Sequence, residues 1–234
     1  MSGAASGQER SAAWIATPWA GAILRFVADP AADVDPDVVT DWPAWASLDA
    51  ALGNDSIRGR MGRWLVPDSG VDVGELARTF EGTRTRLLMV PVGDGEALIR
   101  LLGAWLGASR IAALIRRNDL DAARNAIGDE AFEFAMRRAG LIGRPGDMLM
   151  AAVDDAVPMV EDMSLLLRRG AMALGLAIGE VPNACTIRLR LRRPASLWSF
   201  VADWCRDDVA GDDAWTCVRR LIRDRAPEWS TWLN

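Results

Sequence analysis

The sequence of 234 residues contains no histidine. Histidine has the side-chain pKa closest to neutrality and is the commonest metal ligand. Its absence excludes Ser/His/Asp and Cys/His nucleophile systems, HExxH zinc sites and histidine-ligated haem. Lysine is absent too: all 27 basic residues are arginine, which removes Schiff-base chemistry and the phosphate-gripping lysine of a P-loop. Cysteine is scarce. Cys185, Cys205 and Cys217 form no CxxC pair, so neither a disulfide framework nor a tetrahedral zinc site is expected, and the three read as reduced, buried thiols. Long uncharged apolar runs are missing as well. The stretches 97–115 and 163–179 are interrupted by Arg100 and Arg110 and by Arg168 and Arg169. A central arginine costs about 2.5 to 3.5 kcal/mol on insertion scales, so both are expected to be core helices and not membrane spans.

What remains is ample material for a core. Half of the residues are hydrophobic, and the formal net charge of -5 with a pI near 4.9 argues against general affinity for nucleic acid, which needs a concentrated basic face. Residues Met1 to Gln8 are small and polar, without the apolar centre of a signal peptide. Residues 1–20 are therefore expected to be a flexible tail, residues 21–234 a single mainly helical domain, and the compartment the cytoplasm. No fixed-period repeat or Gly/Ser linker separates two cores.

Periodicity sets the expected elements. A short apolar run at 22–27 stops at Asp29-Pro30 and reads as a strand or an extended segment. Pro30, Pro36 and Pro43 make the following acidic region irregular, and Val73 to Phe80 has helical spacing. A long helix is expected from Asp94, as N-cap, to about Arg117. A short one capped by Asn118-Asp119 runs to Ile127. Another begins at Gly128-Asp129, with Ala131, Phe132, Ala135 and Met136 on its inner face, and ends at Gly140. Residues 161–179 read as a long helix whose Gly170, Gly175 and Gly179 suit close helix contact. Cys185, Ile187, Leu189 and Leu191 alternate with Thr186, Arg188, Arg190 and Arg192, the two-residue period of a half-buried strand over 184–192. Helical spacing returns over 195–207 and 212–225. The expected class is mainly α: one compact multi-helix domain with one or a few short β-strands.

No residue qualifies as catalytic, cofactor-binding or metal-ligating. The pairs Asp154-Asp155, Asp207-Asp208 and Asp212-Asp213, and the cluster Asp129, Glu130 and Glu133, are expected to cap and flank helices. The candidate partner-binding residues are Arg188, Arg190, Arg192 and Arg193. On a strand they would form a solvent-facing guanidinium row able to make paired bonds to carboxylates or phosphates. A charged edge strand guarded against aggregation is the plainer reading of the same row. Of the eleven tryptophans, most are expected in the core, with some available as interface anchors.

Several blocks occur in an order that resembles the K component of type III secretion systems, the accessory protein called SctK, YscK or PscK. They are Leu24-Arg25-Phe26, Leu98 to Gly103, Gly128-Asp129-Glu130, Leu141-Ile142-Gly143, Gly175-Leu176-Ala177 and Arg188 to Pro194. The resemblance spans most of the chain after about residue 22; the tryptophan-rich end from Trp198 is less clearly matched. It implies a non-enzymatic adaptor of the cytoplasmic sorting platform, without cofactor, placed between an SctD-like inner-membrane ring protein and an SctQ-like pod protein. Part of the Arg188–Arg193 row or the acidic 29–41 segment would then meet an oppositely charged partner. The alternative is a small-ligand-binding helical domain, or an enzyme using carboxylates and arginines alone.

Overall fold

Proline or glycine marks many of the described helix boundaries in this chain. The computed structural model describes residues 20–21, 26, 34–35, 78–158, 162–227, 229 and 233. A 3-10 turn at Thr85–Met89 leads through Pro91 into α1, Val92–Leu106. Proline is tolerated there because the first N–H groups of a helix have no internal partner. Next come α2, Ala108–Ala112, α3, Arg117–Ile127, and α4, Asp129–Arg137, which is joined to α3 through Gly128 at φ 85°. A single turn, α5, Ala139–Ile142, precedes α6, Asp147–Ala156. The rest is α7, Leu165–Ile178, α8, Asn183–Arg190, α9, Ala195–Asp203, and α10, Gly211–Arg225. The mainly helical class expected from periodicity is the one observed.

Several local expectations are corrected. The helix expected from Asp94 to Arg117 is two helices, α1 and α2, followed by a non-helical link at 113–116. Asp94 lies in the first turn of α1 and Pro91 holds the cap position, while Gly107, where α1 ends, sits against Leu166. No side chain caps α3, which begins at Arg117. In α4, Ala131, Phe132 and Ala135 are buried as expected, but Phe134 is buried too and Met136 is 46% exposed. The strand expected at 184–192 is helix α8. Its buried side is Ala184, Cys185, Arg188 and Leu189, a helical spacing that a purely apolar reading misses because one member is arginine, whose aliphatic stem packs like a hydrophobe. Among the described residues, extended pairing is limited to one antiparallel bridge, Val34 with Arg192. The expected strand at 22–27 lies outside the described residues apart from Phe26, as does most of the Val73–Phe80 helix.

The core is organised around α7. Eleven of its fourteen residues are buried, as expected for a helix that is apolar on all sides. It packs chiefly on α1 and also on α9 and α10, and the buried apolar residues form one continuous cluster. The closest approach is the crossing of α1 and α7. A Cβ on Gly103 would stand 2.1 Å from the Leu166 carbonyl oxygen, and one on Gly170 would stand 2.0 Å from the Ile99 carbonyl oxygen. Two backbones therefore touch where side chains normally hold helices apart. Gly175 has the same duty toward α9, with the Val201 carbonyl oxygen 2.5 Å from its would-be Cβ. Gly179 does not: among the described residues nothing lies within 4 Å of its would-be Cβ, and its φ of +77° ends α7 instead.

Replacing Gly170 by alanine is expected to destabilise the fold by at least about 1 to 3 kcal/mol through overpacking, read as a lowered thermal or urea midpoint. Gly93, in the first turn of α1 with nothing within 4 Å of its would-be Cβ, is the control. Gly93→Ala should leave stability unchanged or raise it by about 0.4 to 1 kcal/mol.

Candidate functional site

Because residues 184–190 are helical, the four candidate arginines do not form a row. Arg188 and Arg192, four apart, turn inward and are 9% and 3% exposed, whereas Arg190 and Arg193 face solvent. The solvent-facing quartet is thus corrected to two buried guanidinium groups and two exposed ones.

The buried pair joins parts of the fold that are distant in sequence. Arg192 donates from Nη2 to the Leu88 carbonyl and from Nη1 to the Val90 carbonyl at 3.3 Å, tying the end of the 3-10 turn to the α8–α9 junction. Its guanidinium lies 4.8 Å from the Trp198 ring and 5.7 Å from the Phe26 ring. Arg188 donates to the Phe26 carbonyl and lies 5.0 Å from the same ring. Burial draws the Arg188 pKa below its ordinary value, since desolvation disfavours the charged form.

The exposed pair is engaged within the chain as well. Arg190 binds Asp203 at 2.6 Å with both side chains about half exposed. Arg193 lies 3.9 Å from Asp35, the one acid of the 29–41 segment among the described residues. The Asp35 carboxylate also accepts the Ala195 N–H at 2.9 Å, so it stands at the start of α9, where the helix dipole favours negative charge. The Asp35 N–H donates to the Leu191 carbonyl at 2.7 Å.

Sequence reasoning passed over a third buried arginine. Arg169, 1% exposed in the middle of the apolar α7, donates to Asp154 at 2.6 Å and to the Val157 carbonyl at 2.9 Å. Asp154, 59% exposed in the last turn of α6, is therefore a counter-ion as well as a solvated helix-end acid. The clue was an arginine inside a run of leucine, alanine and glycine, which requires a partner. The other carboxylates serve as flanks and ties. Asp213 accepts the N–H groups of Met148 and Leu149 at 3.0 and 3.4 Å, capping α6 from α10. Asp208 accepts the Ala210 N–H at 2.9 Å, Asp212 pairs with Arg84, and Asp129 and Glu133 pair with Arg124 and Arg137.

Cys185, Cys205 and Cys217 are free and buried. Burial pushes Cys185 up to about 11 and Cys205 up to about 12 from an ordinary 9.0, and Cys217 moves in the same direction. Such thiols are poor nucleophiles. Among carboxylates, burial raises Glu96 against the pull of Arg100, and hydrogen bonds from Ser164 lower Asp162. Among the described residues no group of three or more Cys, Asp or Glu is placed to hold a metal ion, and no helix is long and apolar enough to cross a membrane. Trp105 and Trp198 are buried, and Trp204, Trp215 and Trp229 pack partly against the core. Comparison with protein-family models, curated proteins and solved structures finds no match.

Two outcomes follow. Arg192→Ala should cost roughly 2 to 3 kcal/mol in chemical denaturation, because buried carbonyls lose their donor, whereas Arg190→Ala should stay within about 1 kcal/mol, as for exposed ion pairs. Unfolded thiols ionise from about pH 9 while Cys185 and Cys205 stay protonated to about 11 and 12. The unfolded state then binds fewer protons, so stability present below pH 9 should fall as pH rises toward 12. Replacing both cysteines by alanine should flatten that decline in urea midpoints measured from pH 8 to 11.

Proposed function

We propose that this chain is a non-enzymatic structural adaptor of the type III secretion cytoplasmic sorting platform, acting between an SctD-like ring protein and an SctQ-like pod protein. The observation that carries the reading is the ordered series of blocks from Leu24-Arg25-Phe26 to Arg188–Pro194. Those blocks hold framework residues: Gly103 at the α1–α7 crossing, Gly128 at positive φ, Gly175 against α9, and the inward-turned Arg188 and Arg192.

The side-chain inventory supports the same reading. With no imidazole or amine side chains, with buried thiols raised in pKa and with most described acids paired to arginines or helix ends, the chain favours fixed shape over bond making. A connector needs a stiff body that transmits position, and a central helix in backbone contact with its neighbour supplies one. Ile115, Leu141 and Val209 are 92%, 83% and 79% exposed, giving apolar contact points of the kind that partner surfaces bury. In this reading the adaptor sits in the cytoplasm and reaches the inner membrane only through its ring partner.

The test is retention of the full chain on an immobilised SctQ-like or SctD-like protein from the same cell. Retention by at least one is expected, and Ile115→Asp with Leu141→Asp should weaken it tenfold or more while thermal stability holds, as for surface substitutions. Retention by neither overturns the assignment.

A further inference from the structure

We propose that the outer face of α10, with the α5–α6 loop beside it, is the surface on which this chain takes an acidic protein partner that also offers an apolar side chain. The inference rests on the adaptor reading and names the chemistry of the partner surface.

Arg219, Arg220 and Arg223 are exposed within one turn of α10, on the side away from its buried Ala214, Cys217, Val218 and Leu221. Arg220 reaches sideways to the loop between α5 and α6. Its Nη1 donates to the Arg144 carbonyl at 3.4 Å and lies 3.4 Å from where a Cβ on Gly143 would stand. Glycine at 143, with φ +106°, thus lets a guanidinium lie against the loop backbone, and Arg144 brings a fourth exposed arginine to this edge. From the same helix Asp213 accepts the Met148 and Leu149 N–H groups and holds the far end of the loop in place. These four arginines have no counter-ions: among the described residues no carboxylate lies within 4 Å of them. By contrast Arg84, Arg100, Arg124, Arg137 and Arg190 each have one. The acids of α10 itself are committed elsewhere, Asp212 to Arg84, Asp213 to the α6 amides and Asp224 to Arg138.

Like charges one turn apart on a helix repel, so this face costs α10 stability on its own. The helix dipole favours a cation in the last turn; that accounts for Arg223 but not for Arg219, Arg220 or Arg144. In a chain with 32 acids and a net charge of -5, guanidinium groups gathered without carboxylates are complementary to carboxylates from outside, which they meet in paired bonds. Arg219 and Arg223 stand about 6 Å apart along the helix axis, matching acids four residues apart on a partner helix. Two observations select a protein over a polyanion. Leu141, 83% exposed, lies three residues before Arg144, and Met148 on α6 is 51% exposed, so aliphatic contact area adjoins the charge. The large hydrophobic residues exposed among the described residues are all aliphatic, whereas platforms for unpaired bases are aromatic. The overall negative charge also opposes the long-range approach of a nucleic acid or an anionic bilayer.

The experiment passes the full chain over the immobilised SctQ-like and SctD-like proteins in two variants of equal net charge. One carries Arg220→Glu with Arg223→Glu; the other carries Arg168→Glu with Arg190→Glu, exposed arginines of α7 and α8. The first should lose about tenfold or more of the wild-type affinity at an unchanged thermal midpoint, and the second should keep it. Equal loss in the two, or full retention of the first, overturns this inference and leaves the adaptor reading standing; retention of the wild type by neither partner overturns both. A readout on the unaltered chain guards against a misfolded variant. Its retention should fall steeply as salt is raised, because contacts between exposed charges are screened, and retention insensitive to salt overturns the inference. So does tighter binding of the wild type to duplex DNA, or to vesicles of equal phosphatidylcholine and phosphatidylserine, than to either partner.

Discussion

The contact of two backbones at the crossing of α1 and α7 governs the rest of this structure. With glycine at 103 and 170, the Leu166 and Ile99 carbonyl oxygens occupy space that side chains would otherwise fill. This brings α7 far enough into the core to be covered by α1, α9 and α10 together. A helix so enclosed must be apolar nearly all round, and α7 is, with Arg169 as the exception. Glycine lowers helix propensity by about 1 kcal/mol per residue. Here that cost is offset by the apolar and dispersion contacts that close approach permits.

Arginine does the work of joining. Buried guanidinium groups are costly unless hydrogen-bonded, and each of the three among the described residues reaches main-chain carbonyls: Arg169 that of Val157, Arg188 that of Phe26, and Arg192 those of Leu88 and Val90. A planar group with five donors suits this role where lysine does not. In a chain whose basic residues are all arginine, some of the positive charge therefore serves the interior, crossing between elements that hydrophobic packing alone would leave loosely registered. Asp213 does the same with opposite charge, reaching from α10 to the start of α6.

A body held by glycine contacts and arginine ties resists deformation, the physical quality that the proposed adaptor role requires. At the α8–α9 junction Asp35 is held by main-chain and carboxylate contacts and Phe26 by the Arg188 guanidinium.

Composition and periodicity were enough to read the mainly helical class, the α7 core helix, its close-contact Gly170 and Gly175, and the buried thiols, because each follows from local spacing or from the inventory of side chains. They did not reveal the conformation of 184–192 or the fate of its arginines. There the apolar residues alternate every second position, and only burial shows that Arg188 completes a helical face. Phe26 and Asp35 stand more than 150 residues away in sequence from Arg188 and Ala195, as Asp213 stands 64 and 65 residues from the amides it caps. No local pattern encodes such pairs. A guanidinium looks the same in sequence whether it faces water or a carbonyl, and the folded packing alone decides which.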